Sequence, residues 1–455
     1  MTKSNRLTQK TIVFGHWSAA ATAALIALHQ TCIAVSTFFL TRLIEHFQAQ
    51  QPVNALLISY VCIMVFPYIP GCIAFIASQA WLNHAHKTYV SEVADKVFGL
   101  TMRFKDNALR ESIESLVARN SFTVLKDYID FLHDSLSLFL NSALSLLVIG
   151  ILLPHEIFLG YAASALLCTI AILLVSGRIA RQASTSENSL IAYGDVLSRV
   201  WDNAALGNTA NFENWENRTK ESGEIYYKST MGLQLIRQGS NILIALLALV
   251  PTSILVVQLF RDPTIHAAVL AATIVSLTRI FQILNSLSTV VYRILEWSSI
   301  NARLRVLLSA DQQIEADQQA SLNHPLEIIT VNGSAILSFD DVAKTLRRAT
   351  AGRFTIRGAN GSGKSTLMYF LKAELGNVAA LIPAHHARLD WKTVSNSQST
   401  GQRTIAQIRE ASTQHNINIL LLDEWDANLD TLNTQGIDEF LAAVSSSKIV
   451  VEVRH

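Results

Sequence analysis

The stretch Gly358-Ala359-Asn360-Gly361-Ser362-Gly363-Lys364-Ser365-Thr366 decides how the rest of the chain is read. It fits G-x-x-x-x-G-K-[ST], the phosphate-cradling P-loop. Phe354-Thr355-Ile356 predicts a short strand entering the loop, and Ser365 to Leu375 predicts a helix leaving it. Glycines let the backbone curl so that successive N–H groups face one phosphate chain. The helix N-terminus adds partial positive charge. In this reading Gly358, Asn360, Gly361, Ser362, Gly363 and Thr366 surround the phosphates. Lys364 reaches the β- and γ-phosphates, and the Ser365 hydroxyl binds Mg2+. A glycine-rich turn could match by chance, but the strand and helix flanks argue against that.

A second stretch supplies what a phosphate cradle lacks. Asn418-Ile419-Leu420-Leu421-Leu422-Asp423-Glu424 is an apolar strand ending in two acids. A strand buried on both faces suits the centre of a parallel sheet, and ligands sit at the C-terminal ends of such strands. There Asp423 would hold Mg2+ through water, and Glu424 would polarise an attacking water as general base. Alone, acids at a strand end are usually solvated and inert. The P-loop gives them a role.

Upstream, the composition changes character. Half of the 455 residues are hydrophobic and only 16% are charged, against about 25% in soluble domains. Mean hydropathy is +0.30. The charge deficit is local. Thr11–Leu40 and the centre of His46–His86 predict two membrane spans, the second kinked at Pro67 and Pro70-Gly71. Ser135–Pro154, Ile157–Gly177, Gln238–Phe260 and a run from about Thr264 predict four more. Basic residues crowd the start, 87–134 and 178–237, whereas 41–52, 154–156 and 261–263 hold only Arg42 and Arg261. The positive-inside rule therefore predicts a multi-pass integral membrane protein with its N-terminus and C-terminal domain cytoplasmic. In a bacterium the bilayer would be the inner, cell membrane.

The four cysteines, Cys32, Cys62, Cys72 and Cys168, lie in apolar runs with no C-x-x-C spacing, which predicts buried thiols. The thirteen histidines form no H-E-x-x-H pattern. Net charge is +1, with no basic excess to attract nucleic acid, and none is expected as a partner. Residues 1–308 read as the membrane domain, 309–325 as a polar linker, and 326–455 as an α/β domain.

These pieces resemble the ATP-binding cassette of ABC transporters, fused to a six-span half-transporter of the exporter type. Ser399-Thr400-Gly401-Gln402-Arg403 resembles the family's LSGGQ signature, and Asp426-Ala427-Asn428-Leu429-Asp430 its D-loop. Lys448 to His455 resembles the strand that ends in the switch histidine, and His455 follows Glu424 at close to the family spacing. The resemblance implies an α-helical six-span transmembrane domain plus an α/β P-loop NTPase nucleotide-binding domain. It implies ATP and Mg2+ as cofactors. It also implies a homodimer, or a heterodimer with a second half-transporter, that exports an unidentified substrate. Glu424 and His455 would be catalytic. Ser399, Gly401 and Gln402 would close over ATP held by the other subunit, donating to its γ-phosphate. Short helices near Asn107–Ser115 and Asn203–Phe212 would dock on the cassettes.

The chain departs from the family in three places. The interval from Lys364 to Asp423 is far shorter, which implies a reduced helical subdomain. No glutamine loop follows Ala380-Leu381-Ile382-Pro383, where His385 is the candidate replacement. Phe339 is the candidate to stack on adenine. Two rival readings follow: a membrane-anchored cassette that regulates a partner without moving cargo, and a channel or receptor with a vestigial cassette. In the sixth span, Arg279, Gln282, Ser286, Thr289 and Arg293 recur at three- and four-residue steps, so they share one helical face. Charge at mid-bilayer is costly, so this face is expected to line a substrate cavity, with His29, Gln30 and Asn141 as companions. The alternative is that Arg279 is paired inside the bundle and fixes packing.

Overall fold

The computed structural model describes residues 7–152, 155–261, 289, 293, 296–297, 300–315, 330–335, 338–384, 389–394, 398–427 and 429–454. After the short helical turn Gln9–Ile12, and leaving aside another at Val200–Ala204, the helices are α1 (Trp17–Gln48), α2 (Asn54–Val65), α3 (Tyr68–Val97), α4 (Asn107–Glu114), α5 (Ser121–Leu152), α6 (His155–Ser198) and α7 (Thr209–Arg261). Next come α8 (Ala310–Glu315), β1 (Thr330–Val331), β2 (Ser334–Ala335), α9 (Phe339–Arg348), β3 (Gly352–Arg357), α10 (Lys364–Leu375) and β4 (Ala379–Ile382). The chain closes with α11 (Thr400–Thr413), β5 (Ile419–Asp423), α12 (Thr431–Val444) and β6 (Ile449–Val453). It divides into two compact units, Leu7–Val90 with Arg119–Ser309, and Ser91–Ala118 with Ala310–His455.

The first unit is helical. Among the described residues, Trp17–Gln48, Asn54–Val97, Leu166–Ser198 and Thr209–Pro251 are long and apolar enough to cross a membrane. Their outer surfaces are apolar, with Ile58, Val65, Ile76, Leu173, Leu174 and Ile242 exposed. In water such surface would be driven inward, whereas lipid accepts it. The charge-free run from Ser135 is helical within α5; the run expected from Thr264 lies almost wholly outside the described residues. Helices α6 and α7 form an antiparallel pair. Cys168 donates to the Ile244 carbonyl, Gln182 to that of Ser229, and Trp215 to that of Val196.

The expected break in the second span falls between α2 and α3. Pro70 has no N–H to continue the helical ladder, and the Phe66 carbonyl it would have bonded accepts from Ile69 N–H at 3.1 Å instead. The Pro67 carbonyl accepts from Gly71 N–H at 3.0 Å and from His29 Nδ1 at 2.7 Å. That bond puts the ring proton of His29 on Nδ1. A Cβ on residue 71 would come within 2.8 Å of His29 Nδ1, so a side chain there would have to displace the imidazole.

The second unit is built on a mixed sheet of order β2-β1-β3-β6-β5-β4. The β1–β2 hairpin is antiparallel and joins β3 antiparallel; β3, β6, β5 and β4 run parallel. Every residue of β5 is buried because both sheet faces are covered. The strand's alternation sorts its side chains. Ile419 and Leu421 pack with Val342 and Leu346 of α9 and Leu367 and Leu371 of α10. Leu420 and Leu422 pack with Ile408 and Ala411 of α11 and Ile437 and Leu441 of α12. Each such leucine contributes about 1.5–3 kcal/mol by leaving water. The outcome is a sheet between two helical layers. Among the described residues no helix lies between β4 and α11.

Candidate functional site

Register brings Ile356, Val453 and Asp423 side by side at one end of the parallel strands. The loop from Gly358 to Gly363 leaves β3 at that end and opens into α10. Gly361 and Gly363 have φ of 86° and 94°, left-handed values that suit glycine, and they turn the loop back on itself. Ser362 N–H donates to the Ala359 carbonyl at 3.2 Å. The Ser362 side chain is buried at 3% exposure, yet its hydroxyl has no partner. A buried orphan hydroxyl is a group that an added acceptor or donor, such as a phosphate oxygen, would satisfy. Lys364 donates to the Gly358 and Ala359 carbonyls at 3.0 and 2.9 Å, pinning the start of the loop.

The acids meet the loop through one bond. The Ser365 hydroxyl donates to Asp423 Oδ1 at 3.3 Å. A hydroxyl and a carboxylate side by side are hard oxygen ligands of the kind Mg2+ accepts, so the donor set fits that ion. Asp423 is 1% exposed. Burial pushes its carboxyl above the usual range; the Ser365 bond, Lys105 and Lys364 pull it back, while Glu424 adds to the rise.

A raised carboxylate is stabilising when protonated and costs stability once ionised. Without metal, Asp423→Asn should therefore melt a few degrees above the wild type at neutral pH. The gap should close as pH falls below the ordinary aspartate range. Melting curves of both proteins across that range, without metal and with Mg2+ plus nucleotide, test this. Equal midpoints at neutral pH would show that the buried charge is already neutralised.

Glu424 follows with φ of 48°, left-handed for a side chain that rarely adopts it. Its N–H donates to the Val453 carbonyl at 2.9 Å, which turns the chain off β5. The side chain lines a cavity of about 1150 Å³, shared with Phe104, Leu109, Tyr369, Pro383 and Thr400. Ser399 caps α11: Gln402 N–H donates to its hydroxyl at 3.3 Å, and Ser399 N–H donates to Gln402 Oε1 at 3.0 Å. This capping box holds the signature-like stretch at a helix N-terminus. Gly401 lies in the first turn.

Other expected residues fall elsewhere. Phe339 leans on Phe370 at 5.7 Å between ring centroids, against the core. Arg293 pairs with Asp134 at 2.9 Å and Glu296 at 3.3 Å. Thr289 is helical and half-buried. His455, His385, Asn428, Arg279, Gln282 and Ser286 lie outside the described residues.

Two features escaped the sequence reading. Glu452 in β6 is 2% exposed and sits in a ring of donors. Arg353 Nε and Nη2 reach it at 3.0 and 2.9 Å, Thr355 Oγ1 at 3.1 Å, Trp425 Nε1 at 3.2 Å and Arg454 Nε at 3.3 Å. Asp438 bridges Arg353 and Arg454. Because Trp425 follows Glu424, this ring anchors the backbone that carries the candidate base. The second feature is the segment before α4, where Phe104 stacks on Tyr369 of α10. Burial, then Asp423, pushes the Tyr369 phenol up to about 12. No local periodicity marks either feature, since each joins distant parts of the chain.

No protein-family model and no curated protein matches the chain.

Proposed function

We propose that the chain is a membrane-bound ATPase of the ABC exporter kind, working as a dimer that moves a substrate across the bilayer. The observation that carries this reading is the Ser365–Asp423 bond, which joins a P-loop helix to a buried acid with Glu424 next in sequence. The strand order supports it. One strand, β6, separates β3 from β5, which leaves space for a nucleotide between the P-loop and the acids. Four apolar helices of membrane length and the exposed apolar faces support the bilayer setting.

In this mechanism the P-loop N–H groups and Lys364 hold the β- and γ-phosphates. Bound Mg2+ would supply charge neutralisation on the phosphates. Ser365 and Asp423 would orient that ion. Glu424 would take the proton of the attacking water while it adds to phosphorus. Ser399 and Gly401 of a second copy would donate to the γ-phosphate from the opposite side. His455 would hold the same phosphate from the end of β6.

The test is ATP hydrolysis by the purified full chain in lipid. Steady hydrolysis is expected, and Lys364→Ala should weaken ATP binding by roughly 10- to 100-fold, the loss of a charge-assisted phosphate contact. A wild-type protein that binds no ATP would sink the reading. The absence of a described helix between β4 and α11 favours a second reading, a membrane-anchored cassette that regulates a partner. Hydrolysis that no candidate cargo stimulates would favour it.

A further inference from the structure

In the first unit, the start of α1 is fastened to α3 and α5 by contacts that leave cations and bare aromatic rings facing outward. Thr8 and Thr11 close a capping box around the turn Gln9–Ile12. Ile12 and Val13 are 1% exposed, Gln9 donates to the hydroxyl of buried Tyr128 on α5, and Trp81 Nε1 on α3 donates to the Val13 carbonyl at 2.6 Å. His16 follows, its ring stacked on that of His84 with centroids 3.9 Å apart. Ser18 N–H donates to His16 Nδ1 at 3.3 Å, which caps α1. The segment from Leu7 to Trp17 therefore has a fixed course against α3.

On this frame Lys10, Phe14, Trp17 and Lys87 are exposed. Trp17 is 72% exposed and Phe14 47%. Lys87 lies one helical turn beyond His84. The sequence has no Asp or Glu between Met1 and Ile44, nor between His46 and Ser91. On α5, Asp127 and Asp130 flank Tyr128, but Arg303 takes the first at 3.4 Å and Lys126 the second at 3.0 Å. The patch thus keeps its positive charge. Its level is set by two candidate spans: Trp17 opens one, and Lys87 is the first charge after the charge-free run of the other. Indole rings favour the headgroup level of a bilayer, and lysines there extend their ammonium groups toward water and phosphate.

We propose that this patch binds the headgroup of an anionic phospholipid, with Lys10 and Lys87 attracting its phosphate and Phe14 and Trp17 lying against the top of its acyl chains. A dissolved phosphate offers the same charge, but it would leave both aromatic rings bare in water, whereas a lipid covers them. The positive-inside rule puts this end of the spans at the cytoplasmic leaflet, where anionic lipids attract basic segments. The bound headgroup adds to the contacts of His16 and Trp81 in tying the N-terminal turn to α3. This inference needs the bilayer setting only and is independent of the nucleotide reading.

The experiment reads the lipid next to Trp17. The purified full chain is reconstituted in phosphatidylcholine vesicles that carry an equal mole fraction of either brominated phosphatidylcholine or brominated phosphatidylglycerol, both tryptophan quenchers. Subtracting the emission of Trp17→Phe isolates Trp17 from the other tryptophans. Each lysine near an anionic surface raises local lipid roughly fivefold, so the phosphatidylglycerol is expected to quench Trp17 at least about twofold more strongly than the phosphatidylcholine. Lys10→Gln/Lys87→Gln should lose that preference, and Lys10→Arg/Lys87→Arg, which keeps both charges, should retain it. Equal quenching by the two lipids in the wild type overturns the proposal, as does the absence of quenching by either, which would put Trp17 outside the bilayer. A preference that survives in the glutamine variant overturns it too, by assigning the attraction to other charges. Loss of the preference when inorganic phosphate replaces chloride at equal ionic strength would make this a site for the free ion and not for lipid.

Discussion

The Glu424→Gln protein is expected to bind ATP as the wild type does and to hydrolyse it about 10²- to 10⁴-fold more slowly, the usual worth of a positioned general base. Glutamine keeps the shape and the left-handed backbone of residue 424 (φ 48°), and so leaves the turn onto Val453 intact. Only the capacity to accept a proton is lost. Asp423 and Ser365 still stand beside the loop, so metal and nucleotide should load normally. A loaded site that cannot turn over should also hold two copies together, visible as a shift in size-exclusion chromatography with ATP and Mg2+. Single-turnover hydrolysis with a parallel binding curve separates the two effects. Near-normal turnover would strip Glu424 of the role and leave the acid pair as metal ligands alone.

Glu452→Ala should be the most damaging substitution for folding in the second unit, with a loss of about 3–5 kcal/mol, the cost of breaking a buried ion pair from one side. The Arg353 side chain is only 22% exposed and would lose its bidentate acceptor. The Trp425 indole would lose its acceptor as well. Glu452→Gln keeps the shape and an acceptor for the indole, so its loss should be smaller. Replacing Arg353 and Glu452 together by Met and Leu should recover much of the stability, because no charge is then stranded. Thermal unfolding of the four proteins reads this directly. If Glu452→Ala melts with the wild type, the ring of donors contributes nothing net. A second expected effect is on activity. Glu452→Ala leaves the Trp425 indole without its acceptor and so loosens the residue next to Glu424, so hydrolysis should fall further in Glu452→Ala than in Glu452→Gln.

The legible parts of the fold are those written in neighbouring residues. The strand–loop–helix at 352–375 was readable because glycines at 361 and 363 permit the left-handed turns that a side chain resists, between an apolar strand and a helical run. The β5 strand was readable because four aliphatic residues in a row can only be covered on both sides. The break at Pro67 and Pro70 was readable because proline removes a donor wherever it stands. Glu452 was not readable. A carboxylate within a run of valines looks like a solvent-facing position, and only folding brings Arg353 and Trp425 against it. The contact of Phe104 and Lys105 with Tyr369 was equally hidden, since nothing in a polar loop tells which helix it will meet. The arginine at 293 could be placed on a helix face, but its pairing with Asp134 needed a second helix whose register sequence spacing does not set.

The joint between α2 and α3 carries a consequence for inheritance. His29 and Gly71 lie on different helices, yet the histidine ring fills the space a side chain at 71 would need. The same ring holds the carbonyl of Pro67. Neither residue can therefore change alone without penalty. A larger residue at 71 pushes the imidazole off its carbonyl, and a smaller one at 29 leaves that carbonyl with the Gly71 N–H as its one remaining donor of the two. Among descendants of this chain the two positions should drift as a pair. A lineage that gains a side chain at 71 should lose the histidine at 29.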